Sequence, residues 1–287
     1  MRRIAHLSDL HFGAHDPLVV EALVAALAKL APDLVVISGD LTQRARREQF
    51  RAADAFLRRI EARGCPIVLV PGNHDIPLYD VARRFLSPLR RWRRYVATGR
   101  RECYFDEEVA VVGLNTARSL TFKDGRLSLA QINGLTQSFT RASPQAMRLL
   151  VTHHPLVPLQ GEARQRPDSA LGRARLALTA TRSARVQVLL AGHMHHAGVE
   201  PARDDVVQPS ADPRMLVIQA GTATSWRRRG TPNSFNLIRI DPEGALTVEL
   251  IESDGGRPFA PRLICSYSLS RDGGWRASAA ATAHIPR

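Results

Sequence analysis

Short apolar runs alternate with longer stretches of helical periodicity along most of the chain. "RRIAHLSD" reads as a strand that closes in a polar loop. In "PLVVEALVAALAKLAP", Val20, Leu23, Val24, Leu27 and Leu30 fall on one helical face, with Pro32 beyond its end. "DLVVISGD" predicts a second strand, "EQFRAADAFLRRIEARG" a second helix closed by Gly64, and "PIVLVPGNHD" a third strand. Two strand–helix units in the first 75 residues predict an α/β layered fold whose strands are at least partly parallel. Further on come a strand at "VAVVGLN", a helix over 126–141, and strands at "MRLLVTHHP" and "VQVLLAGHMHH" separated by a helix-like stretch around 168–184. After Gly198 the texture changes. "MLVIQAGT", "NSFNLIRI", "ALTVELIES" and "PRLICSYSL", joined by turns such as "DPEG", predict antiparallel strands that complete a second sheet. No repeat or linker divides the chain, so a single domain over 1–270 is expected, with an Ala-, Ser- and Gly-rich peripheral tail over 271–287.

Composition narrows the class. With 287 residues, 44% of them apolar, the chain can bury a sizeable core. Cys65, Cys103 and Cys265 are odd in number and far apart, which argues against a disulfide framework and a cysteine zinc site. Neither a signal peptide nor a stretch approaching 18 apolar residues is visible, so a cytoplasmic location without a membrane span is expected. The formal charge is +13, and Lys29 and Lys123 are the only lysines. An arginine-heavy, alanine-rich chain follows from a GC-rich genome, or else from an anionic partner: nucleotide, nucleic acid or acidic membrane.

The polar residues that close the strands carry the chemistry. Five apolar runs end in "SDLH" (Asp9, His11), "SGD" (Asp40), "PGNHD" (Asn73, His74, Asp75), "THHP" (His153, His154) and "GHMHH" (His193, His195, His196). Ligands of α/β sheets bind at the carboxyl ends of the strands. Carboxylates, imidazoles and an amide oxygen converging there form a mixed nitrogen and oxygen donor set suited to borderline divalent cations. Residues i and i+2 of an extended segment face the same side, so Asp-x-His and His-x-His are sensible ligand spacings. Each piece alone has a plainer reading, as a capped strand end, a turn or a loop histidine pair. Five in order, each after an apolar strand, outweigh those readings.

Asp9-x-His11, Gly39-Asp40, Gly72-Asn73-His74-Asp75, His153 and Gly192-His193-x-His195 resemble the full motif set of the calcineurin-like metallophosphoesterases, over residue 3 to about 240. The resemblance implies an α/β fold, a four-layer α/β/β/α sandwich of two mixed sheets flanked by helices, with a dinuclear metal site at the strand ends. It implies that Asp9, His11, Asp40 and His195 hold one metal, and that Asp40 as a bridge, Asn73, His153 and His193 hold the other. His74 matches the histidine that sits beside the metals without binding them. No member of the set is missing, which implies an active hydrolase.

Chemistry agrees with that assignment. Two cations about 3.5–4 Å apart clamp phosphate oxygens and acidify a bridging water, which serves as the in-line nucleophile. His74 is then placed to protonate the leaving oxygen or to stabilise charge on it. The ligand set accommodates two divalent ions of Mn, Fe or Zn without choosing among them. His154 and His196 adjoin ligands and are expected beside the site or at its rim, and His6 is expected to pack within its strand.

"HLSDLHFG", "YFDEEVAVVGLNTARS" and "DGRLSLAQINGL" look like the bacterial class III cyclic-nucleotide phosphodiesterase branch, which implies a small anionic phosphodiester, a nucleotide, as substrate. One alternative is hydrolysis of the pyrophosphate of a UDP-acylglucosamine in lipid A synthesis, which calls for an apolar groove where this chain has an arginine-rich insert. Another is a DNA nuclease, which would use the positive charge. A metal-dependent scaffold for phosphorylated partners is the reading without turnover. Two arginine-rich stretches are candidate rims: "ARRFLSPLRRWRRYVATGRR", holding Arg83, Arg84, Arg90, Arg91, Arg93, Arg94, Arg100 and Arg101 with Trp92 and Tyr95 available for stacking, and "WRRRG" at 226–230.

Overall fold

The computed structural model describes residues 1–97, 99–100, 102–159, 171–202, 214–228, 230–270 and 273–278. The elements run β1 (Arg2–Leu7), α1 (Pro17–Leu30), β2 (Leu34–Ile37), α2 (Arg47–Glu61), β3 (Ile67–Leu69), a 3₁₀ turn (Asn73–Asp75), α3 (Val81–Leu86) and α4 (Arg90–Tyr95). Then follow β4 (Cys103–Phe105), β5 (Val109–Gly113), β6 (Gly125–Arg126), α5 (Leu129–Asn133), α6 (Leu135–Ser138), β7 (Met147–Val151), β8 (Leu171–Gly172) and α7 (Ala174–Ser183). The chain continues with β9 (Val188–Ala191), β10 (Gly198–Pro201), β11 (Leu216–Gln219), β12 (Asn233–Ile240), β13 (Leu246–Ser253), β14 (Ala260–Leu269) and β15 (Trp275–Ala277).

Among the described residues, one large sheet has the order β15-β14-β13-β12-β1-β2-β3, a second large sheet the order β10-β11-β9-β7-β5-β4, and β6 pairs with β8 in a small third sheet. In the first, β1, β2 and β3 are parallel and the rest antiparallel. In the second, β11, β9, β7 and β5 are parallel, with antiparallel β10 and β4 at the edges. Both large sheets are therefore mixed. Period-2 alternation assigns each strand residue to a layer. Leu34 and Val36 of β2 join Leu149, Val151, Val188 and Leu190 of the facing sheet in the core between the sheets. Val35 and Ile37 turn the other way, onto Leu23 and Leu27 of α1 and Phe50 and Leu57 of α2. On the far side Leu150 and Leu189 meet Ile132, Leu135 and Leu178 of α5, α6 and α7. The result is four layers, α/β/β/α. Strands buried on both faces read as continuous apolar runs, which is why β2 is simply "LVVI".

Three local expectations need correction. The helix expected over 126–141 is two short helices meeting at Gly134. The helix expected around 168–184 spans Ala174–Ser183, and residues 168–170 lie outside the described residues. The strands after Gly198 do not build one antiparallel sheet: β11 runs parallel to β9, whereas β12 pairs with β1 and extends the first sheet. Strand periodicity records which face is buried and not which neighbour is paired. From the stretch expected as a peripheral tail, β15 joins the edge of the first sheet, Trp275 is buried, and its indole N–H donates to the Gln187 carbonyl (3.0 Å). Residues 279–287 lie outside the described residues.

Candidate metal centre

The loops after β1, β2, β3, β7 and β9 all leave the same end of the two facing sheets, and they bring the strand-end polar residues together. The turns are tight and strained. Asp9 (φ 52), His11 (φ 47), Asp40 (φ 51), His193 (φ 72) and His195 (φ 63) all adopt the left-handed region. Non-glycine residues enter it at a cost and persist there only where surrounding structure holds them. Close approach demands glycine nearby. A Cβ on Gly72 would fall onto the Asp40 carboxylate, and one on Gly192 onto the Ser8 hydroxyl.

Each carboxylate uses one oxygen for the backbone and presents the other. Asp9 Oδ2 accepts from the His193 amide (3.0 Å), leaving Oδ1 at 3.5 Å from His11 Nε2 and 3.4 Å from His195 Nε2. Asp40 Oδ1 accepts from the His74 amide (2.8 Å), leaving Oδ2 at 3.4 Å from His153 Nε2 and 3.8 Å from His11 Nε2. Asn73 Oδ1 lies 3.1 Å from His153 Nε2. Asp9, His11 and His195 thus form one cluster able to hold a metal ion, and Asp9, Asp40 and His153 another. His193 packs edge-on to the His153 ring, with centroids 5.1 Å apart.

Outer partners fix the imidazoles. His153 Nδ1 donates to the Ser38 carbonyl (2.8 Å), which turns Nε2 toward Asn73 and Asp40 at the centre. His195 Nδ1 lies 2.7 Å from Thr222 Oγ1 and 3.1 Å from the Arg227 carbonyl, which again directs Nε2 inward. Asp9 Oδ1 and His11 Nε2 are buried with no hydrogen-bond partner among the described residues. Each such orphan costs about 1–3 kcal/mol, a deficit that a cation between them removes. Burial opposes charge on Asp9 and Asp40, yet the surrounding imidazoles outweigh it and hold both carboxyls well below the ordinary range. Burial also opposes charge on His153, but the Asp40 carboxylate beside it pushes its pKa up to about 9. By contrast, burial and the adjoining His153 pull His193 down to about 3. Two carboxylates, four imidazoles and an amide oxygen form a donor set that fits two divalent cations.

His74 stands beside this group, its ring edge-on to His11 at 4.9 Å. Its Nδ1 donates to the Gln43 carbonyl (2.9 Å), and its Nε2 accepts from Arg227 Nη1 (3.1 Å). Burial, above all, lowers its pKa. His154 is also near, but Thr116 Oγ1 (2.8 Å) occupies its Nδ1, and its Nε2 donates to the Lys123 carbonyl (2.9 Å). With both nitrogens engaged, it supports the centre from behind. His6 packs inside β1 with Nε2 on Ser38 Oγ (2.9 Å).

The sequence reading named Asp75 without giving it a role of its own and missed Thr222 altogether. Asp75 is buried and accepts from Leu41 N (3.2 Å), Thr42 N (2.8 Å), Thr42 Oγ1 (3.0 Å) and Gly72 N (3.0 Å), locking the loop after β2 to the one after β3. Its presence in "GNHD" was the available signal. Thr222, which orients His195, carried none, because it follows β11 more than twenty residues later.

The arginine-rich segment differs from expectation. Trp92 is only 3% exposed within the core under α4, and Tyr95 lies stacked on Phe50, so Trp92 is not available to stack on a ligand. Arg84 is buried, donating to the carbonyls of Ser119 (2.7 Å), Pro77 (3.0 Å) and Thr121 (3.0 Å). Arg100 pairs with Glu61 and Asp54. Arg101 and Arg229 lie outside the described residues. Far from lacking apolar surface, this region exposes Tyr79, Val81, Phe85 and Leu86, with Leu120 and Phe122 on the loop that Arg84 ties down. Phe122 reaches the centre, since its carbonyl lies 3.4 Å from Asn73 Nδ2.

Two mixed sheets with Asp and His clusters at their carboxyl ends define a metallophosphoesterase fold. The chain belongs to the calcineurin-like phosphoesterase family, whose model matches residues 2–197. A Synechococcus protein named as a probable cyclic nucleotide phosphodiesterase is 26% identical over 256 residues, covering 84% of this chain and 89% of that one. A protein of Arcobacter nitrofigilis named as a probable glycerophosphodiester phosphodiesterase is 25% identical over 187 residues, covering 64% of each chain. Among solved structures, PhoD superposes with a TM-score of 0.69 at 11% identity, covering 98% of this chain and 72% of its own. A dimetal phosphatase from Danio rerio gives 0.57 at 14%, covering 91% and 98%.

Proposed function

We propose that this chain is a metal-dependent phosphodiesterase acting on cyclic nucleotides or similar small phosphodiesters. In this reading Asp9, His11, Asp40 and His195 hold one divalent ion, and Asp40, Asn73, His153 and His193 hold the other. The observation that carries it is the single presented oxygen of Asp40, which faces His11 and His153 from opposite clusters. When bound, the two ions supply charge neutralisation for the phosphate oxygens and acidify water. His74 lies outside the ligand set. Its Nδ1–H is committed to Gln43, so Nε2 is its working atom, and Arg227 already donates to it. With a proton on Nε2, His74 donates to the leaving oxygen, and Arg227 beside it is a second donor to the charge that develops there. The names of the two relatives support a phosphodiester substrate.

A second reading, pyrophosphate hydrolysis in a UDP-acylglucosamine, is favoured by the exposed apolar residues Phe122, Leu120, Phe85 and Leu86, of which Phe122 meets Asn73 through its carbonyl. Turnover by the metal-reconstituted protein decides. Cyclic nucleotides and bis(4-nitrophenyl) phosphate should be hydrolysed faster than phosphomonoesters, DNA or UDP-acylglucosamine. Preference for the acylated nucleotide would install the second reading, and no turnover of any ester would overturn both.

A further inference from the structure

We propose that a cavity lined by α2, α3 and α4 is an additional anion site, separate from the metal centre, that receives a phosphate group. The cavity has a volume of about 90 Å³ and is lined by Arg47, Arg83, Arg90, Arg91, Arg94 and Tyr95. A liquid water molecule takes about 30 Å³. The space has room for a tetrahedral oxyanion and opens to solvent, so a phosphate group, free or at the end of a larger molecule, can enter it.

Charge makes the same point. Five guanidinium groups share this small cavity, and the carboxylates whose field reaches Arg91 are Asp80 and Glu48. Asp80 is already committed, to the Arg83 guanidinium and to the Arg83 amide. Burial lowers the pKa of Arg91, and the Arg83 and Arg47 charges lower it further, the mark of crowded like charges. Arg47 opens α2, so the positive end of that helix dipole adds the same sign.

Elsewhere this chain shows what it does with a structural arginine. Arg100 is matched by Glu61 and Asp54, and Arg84 by three carbonyls. Within the cavity, Arg91 spends one nitrogen on the Ala45 carbonyl (2.8 Å), which fixes its position. The side chains of Arg47 and Arg90 make no hydrogen bond or ion pair among the described residues. Fixed and free guanidinium forks around an oxyanion-sized space are the geometry of phosphate recognition.

The test compares wild type with Arg47→Gln/Arg90→Gln in the metal-loaded protein, titrated calorimetrically with inorganic phosphate at constant ionic strength. Wild type should show two phosphate sites, one of them at the metals. The double variant should keep the metal-centre site and weaken the other by about tenfold or more. Its kcat on bis(4-nitrophenyl) phosphate and its melting temperature should be unchanged. Arg91→Lys, which keeps the charge and loses the fork, should weaken the same site. A second arm uses phosphatidylcholine vesicles with and without phosphatidylglycerol. Binding confined to the anionic vesicles and lost in the variant would support the site and identify a lipid headgroup as its source, whereas saturation by free phosphate identifies a soluble one. A single phosphate site in wild type with no variant-sensitive vesicle binding would overturn the proposal. So would loss of oligothymidylate binding in the variant without any response to phosphate or vesicles, which would assign the face to nucleic acid.

Discussion

The loops at the strand ends and the arginine-rich helices α3 and α4 are both dense in charged residues, yet the two are built in opposite ways. At the strand ends, the polar atoms are buried, the backbone is forced into the left-handed region, and some donors and acceptors are left without protein partners. In α3 and α4 the backbone is ordinary helix, and several charges there and just beyond α4 are spent on structure: Arg84 on carbonyls, Arg91 on Ala45, Arg100 on acids. Strain and unsatisfied buried polar groups persist only where something else compensates them, whereas a helix accepts arginine at little cost. A histidine at the strand ends therefore carries more functional information than an arginine in α3 or α4.

The largest effect should come from Asp40→Ala. It removes the oxygen that faces both His11 and His153 and is proposed to bridge the two ions, so elemental analysis should show fewer than two metal ions per chain. Turnover should fall by more than the roughly 10–100-fold that loss of an outer partner costs. Retention of two ions would break the proposed bridge. Chelation of the wild type should likewise lower its melting temperature, because ions that bind only the folded state stabilise it.

Next in size is His74→Ala, expected to keep both ions and lose about 10²–10⁴-fold in turnover. The loss should shrink for a 4-nitrophenolate leaving group, which needs little help. Equal losses for good and poor leaving groups would remove His74 from the leaving-oxygen role.

Thr222→Val sharpens the contrast from the outside. Removing the partner of His195 Nδ1 should weaken metal affinity by about 10–100-fold, read by competition with a chelator, while the circular dichroism stays that of wild type. If affinity is unchanged, the Arg227 carbonyl alone orients the ring.

In the arginine-rich region the expected changes concern stability. Arg84→Ala leaves carbonyls of Ser119, Pro77 and Thr121 without their donor and should cost about 1–3 kcal/mol in denaturant unfolding. Arg90→Ala, on the exposed side, should stay within about 0.5 kcal/mol of wild type. Similar costs for the two would erase the distinction between structural and free arginines drawn here.

The sequence by itself determined an α/β layered fold and the ligand candidates, while its resemblance to a known family implied the four layers. Period-2 and period-3.6 patterns report which faces are buried, and Asp9, His11, Asp40, Asn73, His74, His153, His193 and His195 each close an apolar run. Tertiary structure alone decided the rest. It placed β11 beside β9 and β12 beside β1, since a buried strand looks alike in either sheet. It turned Asp75 into the lock between two loops and Thr222 into the support of His195, roles that depend on residues distant in sequence. It buried Trp92 and Arg84 within a segment that read as a rim with Trp92 available for stacking, because composition counts charges and only packing decides which side chains meet water.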